Sequence, residues 1–432
     1  MDLEDFVDGL ETDEEAERRR LAREKSYEVT DYLEDVKERF ERTLQGDTLV
    51  GSSAPSIFVG RSNYPNVSTG LLSPVGADED PEDFVTDGDW YRRGFSIDDV
   101  FQRRTNLLNS RRRAAVNVND VWDGFVGVQR EVAIADRPVD VEIGLSETPT
   151  FDVDVGSGVA TPVGPNARAD SVDLTENPYV PRPVEKTLED DDWRAEGAMT
   201  YLYRRGFDVY EINRILSAGA LGRGDQRRLV PTRWSITAVD DTVGKYLRGR
   251  IRNAQSVDET TVWYNEYLGN RYWIVLAPGQ WEFELVEMKG PQSVWNPVAS
   301  DYFLASAHEG YEGRTDYVDE TAGAYYAARL GVLEHLVDRG RQAKCLVLRE
   351  VTDDYWAPVG VWQVRESVRN AFDGAPESLS GEDQDVAGEH GEAESFHEAV
   401  RAIAPQLPLP LARLRRKSEM IAGLQSRLVD FG

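Results

Sequence analysis

The sequence predicts an α+β or mixed α/β protein. Three observations lead there: a charged helical arm at the N-terminus, apolar alternation and apolar runs of strand length in the body, and amphipathic helical patterns between them. Residues 1–48 read as an acidic helical arm, with Tyr27, Val29, Tyr32, Leu33, Val36, Phe40 and Leu44 near helical spacing. Residues 49–165 are expected to form an N-terminal α/β part of the body. There, residues 56–59 read as a short buried strand, and residues 60–76, rich in Gly, Ser, Asn and Pro, as a loop. Residues 95–116 read as a helix with Ile97, Val100, Phe101, Leu107 and Leu108 inside, and residues 125–155 as strands, VDVEIG and TFDVDV among them.

Residues 156–183 look like a long connection that leads into a second α/β part, residues 166–370. Helices are expected over 192–219, 321–338 and 361–372. The runs RYWIVLA and EFELVEM within 262–289, and KCLVLREV at 344–351, read as strands. Residues 371–396 are acidic and Gly-rich, the composition of a flexible linker, and residues 397–432 follow as a helical segment and tail. A pentapeptide recurs: Tyr-Arg-Arg-Gly-Phe at 91–95 and again at 203–207, each time before an acid-rich helix start. Gly followed by Phe fits a helix-stop motif. Convergent capping and an old duplication both account for it.

The chain has 432 residues, 78 acidic against 49 basic, for a net charge of −29. Only seven of the basic residues are lysine: Lys25, Lys37, Lys186, Lys245, Lys289, Lys344 and Lys417. So much like charge opposes compaction; at molar salt, where the Debye length is about 3 Å, the repulsion is screened. An acidic, lysine-poor surface therefore suits a salt-rich cytosol, and the acid is spread along the chain rather than gathered in a tail; an acidic protein with basic partners is the other reading. Net charge then says nothing against DNA as a partner. The single cysteine, Cys345, excludes an internal disulfide and a multi-cysteine zinc site. No apolar run approaches a membrane span, and the acidic start lacks a secretory apolar region, which predicts a cytoplasmic protein.

No Walker loop, Rossmann fingerprint or G-x-S-x-G elbow is present. Polar chemistry concentrates in two segments. In residues 215–241, Arg223, Arg227, Arg228 and Arg233 accompany Ser235, Thr237, Asp240 and Asp241. Arginines and hydroxyls at a loop–helix junction suit phosphate, and adjacent carboxylates suit a divalent metal such as Mg or Mn. Arg233, Asp240 and Asp241 are thus candidate catalytic residues, and an acid–arginine network that fixes a loop is the alternative. In residues 52–70, a strand leads into a Gly loop with Arg61, Ser62 and Asn63, where backbone N–H groups could cradle a phosphate; an ordered connection is again the alternative. Local basic stripes, Arg103, Arg104 and Arg111 to Arg113, and Lys245, Arg248, Arg250 and Arg252, suit either a DNA backbone or a solvated, acid-paired helix face. Among the histidines, His308 in a Gly- and acid-rich loop is the functional candidate, and His335 reads as a surface residue of its helix.

The chain ends QSRLVDFG, with Gln425, Leu428 and Phe431 at i, i+3 and i+6. One 3₁₀ turn puts Leu428 and Phe431 on the same side. This resembles the box, Gln-x-x-aliphatic-x-x-aromatic-aromatic, by which replication and repair proteins dock on the sliding clamp. The second aromatic is missing here, which weakens docking, and Met420 and Leu424 are expected to add contacts. A terminal helix packed on the body through Ile421, Leu424 and Leu428 is the other reading.

Longer runs carry a family resemblance: GSSAPSIFVGRSNYPNVSTGLLSP, ENPYVPRPVEKTLEDDDWRAEGAM, LVPTRWSITAVDD, HEGYEGRTDY, YYAARLGVLEHL and VLREVTDDYWAPVGVWQVRESVR. Nearly the whole chain outside the acidic linker resembles the archaeal Nre family of DNA repair proteins, and its composition resembles haloarchaeal members. The resemblance implies a role in repair of damaged DNA and a clamp-binding tail, in agreement with Gln425, Leu428 and Phe431. Some relatives carry a four-cysteine zinc finger, which the single cysteine here excludes. The expectation is a repair factor brought to DNA by the sliding clamp, its body binding DNA or a phosphate-bearing ligand. The alternatives are a metal-dependent phosphoesterase or nuclease acting through Arg233, Asp240 and Asp241, and a non-catalytic scaffold.

Overall fold

Strands β1 (Thr48–Ser53), β2 (Ile57–Val59) and β3 (Asn66–Pro74) open the first sheet, and helices α1 (Asp89–Arg92) and α2 (Ile97–Thr105) lead to β4 (Leu107–Ala115). Helix α3 (Gly124–Ile134), β5 (Val139–Leu145) and β6 (Asn166–Leu174) complete it, in the order β1-β5-β6-β4-β3-β2. These elements come from a computed structural model, which describes residues 38, 48–53, 56–74, 80–119, 121–150, 164–296, 299–374 and 387–423. The alternation that marks β5 is the clearest: Val139, Val141, Ile143 and Leu145 are buried, while Asp140 and Glu142 face solvent.

The second part begins with α4 (Arg182–Glu189), α5 (Ala195–Arg204), α6 (Val209–Ser217) and the long α7 (Thr232–Ile251). A two-residue strand β7 (Gln255–Ser256) precedes β8 (Thr260–Tyr267), β9 (Asn270–Ala277), β10 (Glu282–Lys289) and β11 (Phe303–Glu309). Helix α8 (Ala322–Arg339), short β12 (Arg341–Gln342), β13 (Lys344–Val351), α9 (Trp362–Asp373) and β14 (Ala387–Ala393) follow. The sheet order is β11-β10-β13-β9-β8-β14, with β10 and β13 parallel and the other neighbours antiparallel. Helices cover both faces. On one side Tyr272, Ile274, Leu276, Cys345 and Val347 pack with Val239, Val243, Leu330, Leu333, Val364 and Val368 of α7, α8 and α9. On the other, Trp273, Val275, Leu346 and Leu348 pack with α10 (Phe396–Ile403), α11 (Leu411–Leu414) and α12 (Glu419–Ala422). Two covered faces explain why β9 and β13 read as continuous apolar runs rather than alternating ones.

The fold class is as expected, and several elements differ from their reading. Residues 66–74, expected in a loop, form β3 along its nine-residue ladder with β4. The helix expected over 95–116 stops at Thr105: Asn106 caps it, and Leu107 to Ser110 are buried as a central strand between β3 and β6. Residues 124–134 are helix α3, not strand, whereas VDVEIG is β5 as expected. β6 lies inside the stretch read as a connection, and since it pairs with β4 and β5, the first sheet reaches Leu174, past the expected division at 165. The region 262–289 holds three strands, because Leu268 and Gly269, both left-handed (φ 50° and 66°), turn β8 into β9. A Cβ at Gly269 would stand 2.5 Å from the Tyr355 nitrogen, so glycine is required there twice over. Of the expected linker, residues 375–386 lie outside the described residues, but 387–393 form edge strand β14 on β8. The N-terminal arm, except Glu38 and Thr48, and the tail from residue 424 also lie outside the described residues. Among the described residues, no helix is long and apolar enough to cross a membrane.

Candidate nucleic-acid interface

The β2–β3 loop and the first turn of α7 meet at one corner of the molecule. The Val59 N–H donates to Thr232 Oγ1 (3.0 Å), and the Thr232 hydroxyl lies 3.3 Å from that of Ser217. With Thr232 turned inward, its neighbours Arg233 and Trp234 face out. In the loop, Asn63 takes a left-handed conformation (φ 62°), which its short polar side chain tolerates, and its carbonyl accepts from the Asn66 N–H at 2.8 Å. The chain then runs into a small ladder. The Val116 N–H donates to Pro65 O (2.9 Å), the Leu229 N–H to Val116 O (2.7 Å), and Asn117 pairs with Arg228 in an isolated bridge. Ser68 faces Arg113 and Asn66 faces Ala115 across β3 and β4. Arg113, Ala115 and Asn117 are exposed, while Ala114 is half-buried and Val116 and Val118 are buried, so the three former residues share the solvent face.

Arg61, Arg113, Arg228 and Arg233 thereby lie on exposed positions of segments joined at this corner. Among the described residues none of the four has an ion-pair partner. That is notable in a chain of net charge −29. The same segments carry two exposed aromatic rings, Tyr64 (45% exposed) and Trp234 (47%), with centroids 5.6 Å apart and planes tilted by 49°. Arg61, Asn63, Arg228 and Arg233 are candidates on sequence alone; Tyr64 and Trp234 are not. Both stand next to the chosen residues, and two aromatics beside arginines in Gly/Pro-containing segments were the available signal.

The other expected site residues do not join this corner. Arg227 is buried and donates to the carbonyls of Gly222 (3.2 Å), Thr187 (3.2 Å) and Leu188 (2.9 Å), tying its loop to the last turn of α4. Arg223 is exposed in the loop that the Gly224 N–H fastens to Asp191 O (3.1 Å). Asp240 and Asp241 are neighbours on α7, about 100° apart around its axis, and engage different partners. Asp240, fully buried, takes the Arg365 guanidinium at 2.6 and 2.7 Å. Burial pushes its carboxyl up against the pull of Arg365, and two short contacts from one guanidinium are the geometry of a carboxylate. Asp241 binds Arg329 (2.8 Å) and Lys245 (2.6 Å). Arg233 lies seven residues before Asp240, about 10 Å along the helix. Among the described residues, no three His, Cys, Asp or Glu side chains gather as a metal site.

The basic stripes are also divided. Arg104 is half-buried on α2, donating to Val359 O (3.0 Å), and desolvation lowers its pKa to about 10. Arg111 to Arg113 belong to strand β4. Lys245, Arg248 and Arg252 recur on the outer stripe of α7 that begins at Trp234; Arg248 donates to Tyr311 O (3.0 Å) and Arg252 binds Glu312 (2.8 Å). His308 is in strand β11, not a loop, between Glu282 (3.0 Å) and Glu419 (3.1 Å). The Glu282 contact holds its imidazole above the usual range, against burial. His335 is half-buried rather than a surface residue, stacked on Phe372 at 3.9 Å. Met420 and Ile421 are buried on the second sheet, so Met420 is a core residue, not a docking contact. Gln425, Leu428 and Phe431 lie outside the described residues.

These features define an acidic two-sheet α/β protein with a concentrated basic and aromatic corner. The chain belongs to the archaeal Nre family, NreA type. The family model described as "Archaeal Nre, N-terminal" matches residues 21–296 and that described as "Archaeal Nre, C-terminal" matches residues 309–431. It is 64% identical to the DNA repair protein NreA of Haloferax volcanii over 434 aligned residues, covering 100% of both chains. It is 39% identical to the DNA repair protein NreA of Archaeoglobus fulgidus (79% of this chain, 84% of that one). It is 34% identical to the DNA repair protein NreB of the same organism (89% and 92%). No solved structure matches it.

Proposed function

We propose that this protein acts in DNA repair in the cytoplasm, that its body contacts DNA through the Arg61–Arg113–Arg228–Arg233 corner, and that its tail recruits it to the replication sliding clamp. The observation that carries the DNA reading is the set of four exposed arginines, without ion-pair partners among the described residues, on the joined segments that also carry Tyr64 and Trp234, in a strongly acidic chain. Phosphates are the complementary partner, and relatives named as DNA repair proteins agree with that chemistry. The carboxylates of Asp240 and Asp241, each already engaged with arginine, fit structural roles.

Full-length protein with Arg61→Gln and Arg233→Gln together should bind duplex DNA more weakly and with a shallower salt dependence. Each lost phosphate contact lowers the slope of log K against log salt by about 0.9, so loss of both lowers it by roughly 2. Unchanged affinity and slope would refute the corner as the DNA contact. For the tail, burial of Leu428 and Phe431 gives roughly 1.5–3 kcal/mol each, short of the approximately 8 kcal/mol of a micromolar complex. Gln425 and backbone contacts must supply the rest. Phe431→Ala is expected to abolish clamp binding and leave the melting temperature in place; a drop in melting temperature would favour the tail packing on the body.

A further inference from the structure

We infer that the corner holds unpaired DNA, one base lying on the Tyr64–Trp234 rings while the strand runs along the outer stripe of α7. The inference rests on the DNA reading above and narrows it to a single-stranded segment.

Two large rings, each almost half exposed and 5.6 Å apart, make a small aromatic surface open to a stacking ligand. The backbone beside each ring is fixed by hydrogen bonds. Trp234 starts a helix whose first residue is pinned by the Val59 N–H, and Tyr64 precedes Pro65, whose carbonyl accepts from Val116. The 49° tilt leaves the rings splayed, so they do not cover each other as a stacked pair does. A base in a duplex has both faces covered by its neighbours; an unpaired base has a face to offer, and stacking on Tyr or Trp is tolerant of sequence. The exposed arginines of the same joined segments, Arg61, Arg113, Arg228 and Arg233, are then available to the phosphates.

A path for the strand follows from helical spacing. Residues 234, 238, 241, 245, 248 and 252 recur every three or four positions and share one face of α7 and its end. From Trp234 to Arg252 is about 27 Å, at 1.5 Å per residue. Lys245, Arg248 and Arg252 occupy its far half; Lys245 pairs there with Asp241, the one acid on the stripe, and Arg252 with Glu312, so a phosphate would exchange for a carboxylate at those two positions. Stacking also resists screening. If the chain works in concentrated salt, where phosphate contacts lose most of their strength, an aromatic platform keeps its contribution.

The test uses full-length protein with a fluorescein-labelled oligo(dT) and a duplex of equal length, read by anisotropy. Trp234→Ala should weaken single-strand binding roughly 5- to 150-fold, the worth of one stacked base, and leave duplex binding within twofold. Trp234→Phe should retain most of the single-strand affinity, which separates loss of the ring from loss of the fold. Arg233→Gln should weaken both substrates. If Trp234→Ala changes neither substrate, or both equally, while Arg233→Gln still weakens them, the stacking inference is overturned and the DNA reading stands. If Arg233→Gln also changes nothing, the DNA reading itself fails.

Discussion

Asp240, a catalytic candidate in the sequence, is one half of a buried ion pair with Arg365. Its carboxylate is fully buried and held by two contacts from Arg365. Asp240→Asn would leave a buried guanidinium without its counter-charge, and removal of one partner from a buried pair costs about 3–5 kcal/mol. We expect a large fall in the denaturation midpoint of the full chain, and no change in DNA affinity measured where the variant is still folded. His335 gives a pH signature. Burial between Phe372 and Trp263, helped by the charge of Arg339, lowers its pKa from 6.5 to about 4. The folded value lies below the unfolded one, so this contribution is complete above about pH 6.5 and is lost as pH falls toward 4. Melting temperatures recorded between pH 7.5 and 4.5 should fall more steeply for the wild type than for His335→Gln; equal slopes would contradict it. Neither residue's role is visible in sequence: an acid pair and a helical histidine read the same whether their partners, Arg365 and Phe372, are near or far along the chain.

Among the elements, the repeated Tyr-Arg-Arg-Gly-Phe is a helix stop in both places. Phe95 N–H donates to Trp90 O and Gly94 N–H to Tyr91 O; Phe207 N–H donates to Leu202 O and Gly206 N–H to Tyr203 O. Both glycines are left-handed, at φ 68° and 93°. The helix that follows each is capped reciprocally, by Ser96 with Asp99 and by Asp208 with Glu211. An L-residue in the left-handed region costs roughly 1–2 kcal/mol, so Gly206→Ala should lower stability by about that much, read from urea unfolding. Such local grammar is why the two stops were legible. So were β13, found over the residues expected, and α9, found within one residue at each end. β4 was not: its Leu107, Leu108 and arginines suit a helix face as well as a strand, and only pairing with β3 and β6 decides. β14 is harder still. Ala-Gly-Glu-His-Gly-Glu-Ala has no apolar rhythm, and backbone pairing with β8, interrupted by a bulge between Glu389 and Gly391, is what makes it a strand. Acid on an outer strand also discourages further pairing.

For the whole molecule, charge is the dominant fact. A net charge of −29 repels itself in dilute salt, and seven lysines against 42 arginines leave a surface set by carboxylates. Melting temperature should therefore rise steeply with KCl from low to molar concentration; a flat profile would contradict salt adaptation. Against that field the corner stands out only in three dimensions. Arg61, Asn63 and Arg233 were singled out from two segments more than 150 residues apart, and the Val59–Thr232 contact is what joins those segments. Tyr64 and Trp234 gain their meaning from the same contact, which no local pattern encodes. The most direct measurement is photocrosslinking of full-length protein to single-stranded DNA carrying 5-iododeoxyuridine, with the crosslinked peptides read by mass spectrometry. Crosslinks at Tyr64 or Trp234 are the predicted result. Crosslinks confined to other surfaces, with those two residues untouched, would contradict the account.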